Sequence, residues 1–246
     1  GPSGAGYIQL SLDSQVYSVN DAPRFSGRPG AIRRLLFFPN FSPIYGAGVA
    51  LSDNTINQLL WSIWRSGAFE LSDIVSLIPG ANLEGASLAL SVGLPPVFMP
   101  GRQGFDWVLG LGEIRLTGTL VPAEAFDGVV GELEPITVDL MVSVSSGVTV
   151  LRAADDGIRL TFDDEPQVGV EVMNLSDPRY SDELGLFLER LVRLVVPGLL
   201  ENVLGTFPLP NLDLGDLVGE AASGTELSID GVSKSGDYLR LTGGLQ

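Results

Sequence analysis

Several groups of residues in this 246-residue chain have types and spacings that bear on chemistry. Asp155, Asp156, Asp163, Asp164 and Glu165 offer the carboxylate oxygens that Ca²⁺ requires, but not in the order of an EF-hand loop. A hairpin with solvated charged ends accounts for them, and no metal site is expected. Ser233-Lys234-Ser235 sets the sole lysine between two hydroxyls, the elements of a Ser–Lys base, yet it falls in a turn pattern and is set aside. Gly46-Ala47-Gly48 and Gly110-Leu111-Gly112 do not continue as GxGxxG, so neither reads as a nucleotide loop. Asn40-Phe41-Ser42 and Asn174-Leu175-Ser176 match the glycosylation pattern, which is common by chance. The 30 acidic residues would allow a glycosidase pair, but nothing specifies one. There is no Cys and no His, which removes disulfides, thiolate metal sites, HExxH zinc sites and His-dependent triads. No catalytic residue is assigned, and the chain reads as non-enzymatic without a cofactor.

The aromatic and basic residues near the start are stronger candidates. Arg33-Arg34 precedes Phe37-Phe38, and rings beside guanidinium groups suit a membrane interface or headgroup contact. A buried strand after a loop explains the same residues. Trp61 and Trp64 add two more rings. Charge is uneven: residues 1–50 carry four Arg against Asp13 and Asp21, while the chain as a whole is at −16. That balance argues against nucleic acid, whose phosphates need clustered Lys and Arg. Apolar residues make up 45% and charged residues 18%, enough for a sizeable core. No apolar run reaches about 18 uncharged residues, so no transmembrane helix is expected.

Two segments carry helical periodicity. The first runs from Ser52 to about Ser66, with Ser52 as N-cap, Asp53 in the first turn, Gly67 at the C-terminal end and a Leu51–Ile56 staple. Its apolar face is Ile56, Leu59, Leu60, Ile63 and Trp64. The second runs from about Ser181 to Leu204, kinked at Pro197, with Leu184, Phe187, Leu188, Leu191 and Val195 as its stripe. Leu186, Val192, Leu194, Val196 and Leu200 spill beyond that stripe, so this helix is expected to be buried on most sides or to face an apolar ligand.

Most of the remainder alternates at period two, as strands do. Strands are expected over 7–19, 83–92, 105–121, 136–151, 158–162 and 168–172, with a closing pair at 227–232 and 238–241. Strand runs with helices set apart read as α+β. Gly1-Pro2-Ser3-Gly4 reads as a protease-cleavage scar, so 1–6 is expected to be a disordered start and 7–246 one domain.

Three stretches resemble the bactericidal/permeability-increasing protein family of the tubular lipid-binding (TULIP) superfamily. They are Gly48 to Leu71, the apolar helix 181–204, and Phe207-Pro-Leu-Pro-Asn-Leu-Asp-Leu-Gly215 followed by Leu227 to Leu241 with its Gly236-Asp237-Tyr238-Leu239 end. The likeness covers about 48–246, one barrel of second-barrel type, and lacks the disulfide of the animal first barrel, so a bacterial homologue, or an isolated second barrel, fits better than an animal defence protein. The resemblance implies a long, curved antiparallel sheet wrapped around a long kinked helix plus a shorter helix, a half-barrel whose hydrophobic tunnel holds acyl chains. It implies a periplasmic, outer-membrane-associated or secreted protein, transient membrane contact, and pairing as a homodimer or with a second barrel.

The expected ligand is a lipid, fatty acid or other apolar small molecule. It would lie between Leu184, Phe187, Leu188, Leu191 and Val195 on one side and Leu88, Leu90, Val138, Leu140 and Val142 on the other. Leu59, Leu60, Ile63 and Trp64 would close the groove. Two alternatives stand beside this reading: a structural or interaction module with a filled core, and a hydrolase built on carboxylates.

Overall fold

The computed structural model describes residues 32, 47–75, 85–102, 104–120, 135–153, 158–177, 189, 192–193, 200–201, 204–207 and 227–245. Its elements, in chain order, are β1 (Ala47–Ser52), α1 (Asp53–Arg65), β2 (Ser87–Val92), β3 (Val97–Pro100), β4 (Trp107–Leu120) and β5 (Ile136–Arg152). After these come β6 (Ile158–Phe162), β7 (Gln167–Leu175), β8 (Thr206–Phe207), β9 (Leu227–Ser235) and β10 (Tyr238–Leu245). Every ladder is antiparallel. This is the expected α+β arrangement.

α1 starts where its capping residues direct. The Ser52 side chain accepts from the Thr55 N–H at 3.1 Å, Asp53 supplies the negative charge favoured in the first turn, and Ser66 closes the last turn. Gly67 comes next with φ +85°, the left-handed conformation that ends helices at low cost in glycine.

The seven-stranded sheet is organised by its two long strands, β4 with 14 residues and β5 with 17. One edge of β4 takes β2 against Ile114–Thr119 and then β3 against Trp107–Gly110. Between these, β4 bulges: Leu111 pairs with Val144 and Ile114 with Val142, which leaves one extra residue on β4. Glu113 takes up the bulge with φ +50°, and its carbonyl accepts the Gly93 N–H at 2.8 Å just where β2 ends. A bulge bends and twists the strand that contains it, so the sheet curls here. The far edge of β5 is shared by β7 and then β6. The smaller sheet has the order β1-β10-β9. Its β9–β10 turn places Gly236 at φ +57°, the kind of residue a two-residue hairpin turn needs.

The alternation read from the sequence matches the burial. Leu88, Leu90 and Val92 on β2, Leu109, Leu111, Ile114 and Leu116 on β4, and Val138, Leu140, Val142 and Val144 on β5 are all buried in one cluster. Leu60, Trp64, Ile229, Leu239 and Leu241 join it from α1 and the smaller sheet. The long kinked second helix is not established as an element. Glu189, Val192, Arg193, Leu200, Glu201 and Leu204 are helical, and the residues between them lie outside the described residues. Val192, Leu200 and Leu204 are buried, and the first two belong to the apolar spill rather than to the expected stripe. The expected strand over 7–19 and the start 1–6 also lie outside the described residues.

Candidate functional site

The inner face of the large sheet is aliphatic across four strands. In one register row Leu90 sits opposite Leu116, Leu116 opposite Leu140, and Leu140 opposite Val172. Exposure along that row runs 7%, 2%, 0% and then 36%. The neighbouring rows end the same way, with Val142 opposite Val170 and Val144 opposite Val168, both of the β7 residues half-buried. Among the described residues the face is thus less covered at β7, where Val172 is exposed while Val168, Val170 and Leu175 stay partly buried against the core. Helix α1 does not account for the covering of this face. Its 13 residues run about 20 Å at 1.5 Å per residue, against about 56 Å for β5 at 3.3 Å per residue.

Of the apolar positions expected to line a ligand, Leu60, Trp64, Leu88, Leu90, Val138, Leu140 and Val142 come together in the core cluster. Ile63 is partly buried against it, and Leu59 is half-buried on α1. Leu184, Phe187, Leu188, Leu191 and Val195 lie outside the described residues, as do Arg33, Arg34, Phe37 and Phe38. Trp64 is fully buried, and its indole N–H donates to the Val92 carbonyl at 2.6 Å. Trp61 is half-buried beneath the Arg65 guanidinium, 4.9 Å from the ring centroid.

A second arrangement escaped the sequence analysis. Asp53, at the first position of α1, is 1% exposed. Its Oδ1 accepts from Trp107 Nε1 on β4 at 2.9 Å, and Lys234 Nζ on β9 lies 2.8 Å from Oδ1 and 3.0 Å from Oδ2. The Lys234 side chain is 8% exposed, also donates to the Gly236 carbonyl, and lies 5.4 Å from the centre of the Trp107 ring. Trp107 stacks on Phe98 with ring centres 4.9 Å apart. One turn along α1, Asn57 donates to the Phe98 carbonyl at 3.1 Å and accepts the Phe98 N–H at 2.7 Å. The ammonium has a carboxylate, a carbonyl and a ring face around it, and the carboxylate holds two donors. Such saturation suits an ion pair that joins elements. The signal available in the sequence was the single lysine of an acidic chain, placed in a strand pair that closes on the helix start.

Elsewhere the chemistry is on the surface. Arg115 on β4 makes a two-pronged contact with Asp139 on β5 at 2.9 and 2.7 Å. That hydrogen-bonded guanidinium holds the Asp139 carboxyl below the usual carboxylate range. Asp163 of the acidic run accepts the Glu165 N–H at 3.1 Å, a local turn contact, while Asp155 and Asp156 lie outside the described residues. Among the described residues no group of three or more acidic side chains converges as a metal site.

No family model matches the chain, and no curated protein matches it. Among solved structures, the crystal structure of lipopolysaccharide binding protein is a weak structural neighbour, with 13% sequence identity and a TM-score of 0.32. The match covers 81% of this chain and 40% of that one, so the chain spans about two fifths of that protein's length.

Proposed function

We propose that this chain is a non-enzymatic, cofactor-free carrier that holds an acyl chain or another apolar ligand against the inner face of its large sheet. The observation that carries this reading is the row Leu90, Leu116, Leu140 and Val172, which is aliphatic throughout and passes from full burial to 36% exposure at β7. Burial gains about 25 cal/mol for each Å² of apolar surface removed from water, so the apolar surface that Val172 leaves exposed at the β7 edge is favourable ground for an apolar ligand. The length also suits the cargo. β4 runs about 46 Å, against about 15 Å for one leaflet of a bilayer's hydrocarbon core. On this reading the protein works outside the cytoplasm, in contact with membranes or with lipid released from them.

A second reading, an interaction module with a filled core, is favoured by the complete burial of Leu60, Trp64, Leu88 and Leu140. The protein's own atoms take those side chains out of water. Native mass spectrometry of the purified chain, followed by solvent extraction and lipid analysis, separates the two. Adducts of discrete lipid mass that leave on denaturation are expected for the carrier. A clean protein mass, together with no uptake of a dansyl-labelled fatty acid, selects the filled module.

A further inference from the structure

The edges of the large sheet are not all treated alike. A strand edge offers unpaired N–H and C=O groups to any other chain, and proteins commonly cover or shorten such edges. On β2 the outer edge is taken up by Leu71, which exchanges bonds with Leu90 at 2.9 and 2.8 Å, and by the Ile74 N–H on the Leu88 carbonyl. On β3 the Asn57 amide takes both backbone groups of Phe98. β6 is covered by the short β8 and by the Gly205 carbonyl, which accepts the Leu160 N–H. Among the described residues β7 pairs with β5 alone. It is nine residues long, contains no proline or lysine, and six of its residues are exposed.

The β7 edge is its own complement. Ladder bonds alternate along a strand. Those from β5 towards β7 come from its odd-numbered residues, as the Ser176 N–H on the Thr137 carbonyl shows. They reach Gln167, Gly169 and Glu171, so the N–H and C=O groups of Val168, Val170 and Val172 turn away from β5. In an antiparallel pair of two β7 strands centred on Val170, those three valines meet the second copy's Val172, Val170 and Val168 and exchange bonds with them. Glu171, the one charge on the strand, meets the second copy's Gly169, which has no side chain to oppose it. The inner row Leu90, Leu116, Leu140 and Val172 then runs on into the second copy's Val168 and Val144. We infer that this chain forms a two-fold dimer by antiparallel β7–β7 addition centred on Val170. Such an interface uses the same surface twice and closes at two copies. A strand added in the plane of the sheet covers its edge, so the pairing stands whether or not the inner face holds a ligand.

Sedimentation of the full chain over a wide range of concentration, at low and at high salt, tests this. A dimer that grows with concentration is expected. It should tighten with salt, because each chain carries a charge of −16 and Asp163, Asp164 and Glu165 precede β7. A monomer under every condition overturns the dimer, and so does assembly beyond two copies. Gly169→Glu and Gly169→Lys then test the register. Both place the same added Cβ 2.9 Å from the Ser143 hydroxyl, which can rotate aside, but they set opposite charges against the second copy's Glu171. Gly169→Glu should weaken the dimer and Gly169→Lys should tighten it, with dissociation constants about tenfold or more apart. Equal constants overturn pairing through β7. Should either variant fail to fold, hydrogen exchange in the unaltered protein decides. The amides of Val168, Val170 and Val172 are expected to slow as the dimer forms, and unchanged exchange there in a dimeric sample overturns the pairing.

Discussion

Leu140 and Asp53 are equally withdrawn from water, at 0% and 1% exposure, but they are held there by different physics. Leu140 lies between Leu116 and Val172 in a row of like side chains, and each neighbour could be exchanged for another aliphatic residue of similar volume. Asp53 depends on two particular partners, Lys234 and Trp107, which arrive from β9 and β4. Apolar burial is non-directional and spread over many contacts, whereas a buried charge is tolerated only while its own partners stay in place. The two regions should therefore fail differently when altered.

The largest effect is expected at the polar junction. Asp53→Ala leaves the Lys234 ammonium and the Trp107 indole N–H without their carboxylate, and should cost about 3–5 kcal/mol in urea unfolding. Leu140→Ala leaves a cavity and should cost about 2–5 kcal/mol by the same measurement, near the lower end if neighbouring side chains collapse into the space. Gly147→Ala tests overpacking on β5, because an added Cβ would fall 2.5 Å from the Phe105 ring. A loss of about 1–3 kcal/mol is expected, and an unchanged midpoint would show that the ring moves freely.

A smaller effect discriminates most sharply. Replacing both charges, as Asp53→Leu with Lys234→Met, should bring stability back to within about 1 kcal/mol of the parent or above it. If the double variant is as damaged as Asp53→Ala, the junction is not held by the pair, and the contrast with Leu140 collapses. The smallest effect belongs to Arg115→Ala on the exposed sheet face, where the unfolding midpoint at neutral pH should barely move. The pair's pH signature is nonetheless defined. The Asp139 carboxyl is depressed in the fold, so its contribution is present above the ordinary carboxylate value of 3.8 and fades as pH falls below that. Arg115→Ala should flatten this part of an acid unfolding curve.

Strand after strand of the large sheet was legible because burial on one face of a pleated strand imposes period two on the side chains. β2, β4 and β5 fall where alternation put them, and so do the Ser52 cap and the Leu60–Trp64 side of α1. β1, β3 and β8 were missed. β1 is built from small residues that run straight into a helix, β3 has four residues and ends in proline, and β8 has two. None is long enough, or varied enough, for a period to register. The apolar candidates on the first helix and the sheet could be named for the same reason as the strands. Whether a given one faces protein or ligand does not alter its type, so the sequence could not separate a residue expected to line a ligand, such as Val142, from any other core position.

What the sequence determined by itself was local: which segments are strands, where α1 begins, and that an acidic, apolar chain without Cys or His has no thiol or imidazole to offer. Those are consequences of nearest neighbours along the chain and of composition. What only the tertiary structure decided was which distant residues meet. Lys234 reads in sequence as a polar turn residue, and Asp53 as a favourable charge at a helix start, 181 positions away. They become one buried pair because the β9–β10 hairpin lies against β1, which leads directly into α1. The lesser cover of the apolar face at β7 is likewise a property of strand order, since Val172 and Leu140 carry the same alternation and differ only in which one lies towards the edge of the sheet.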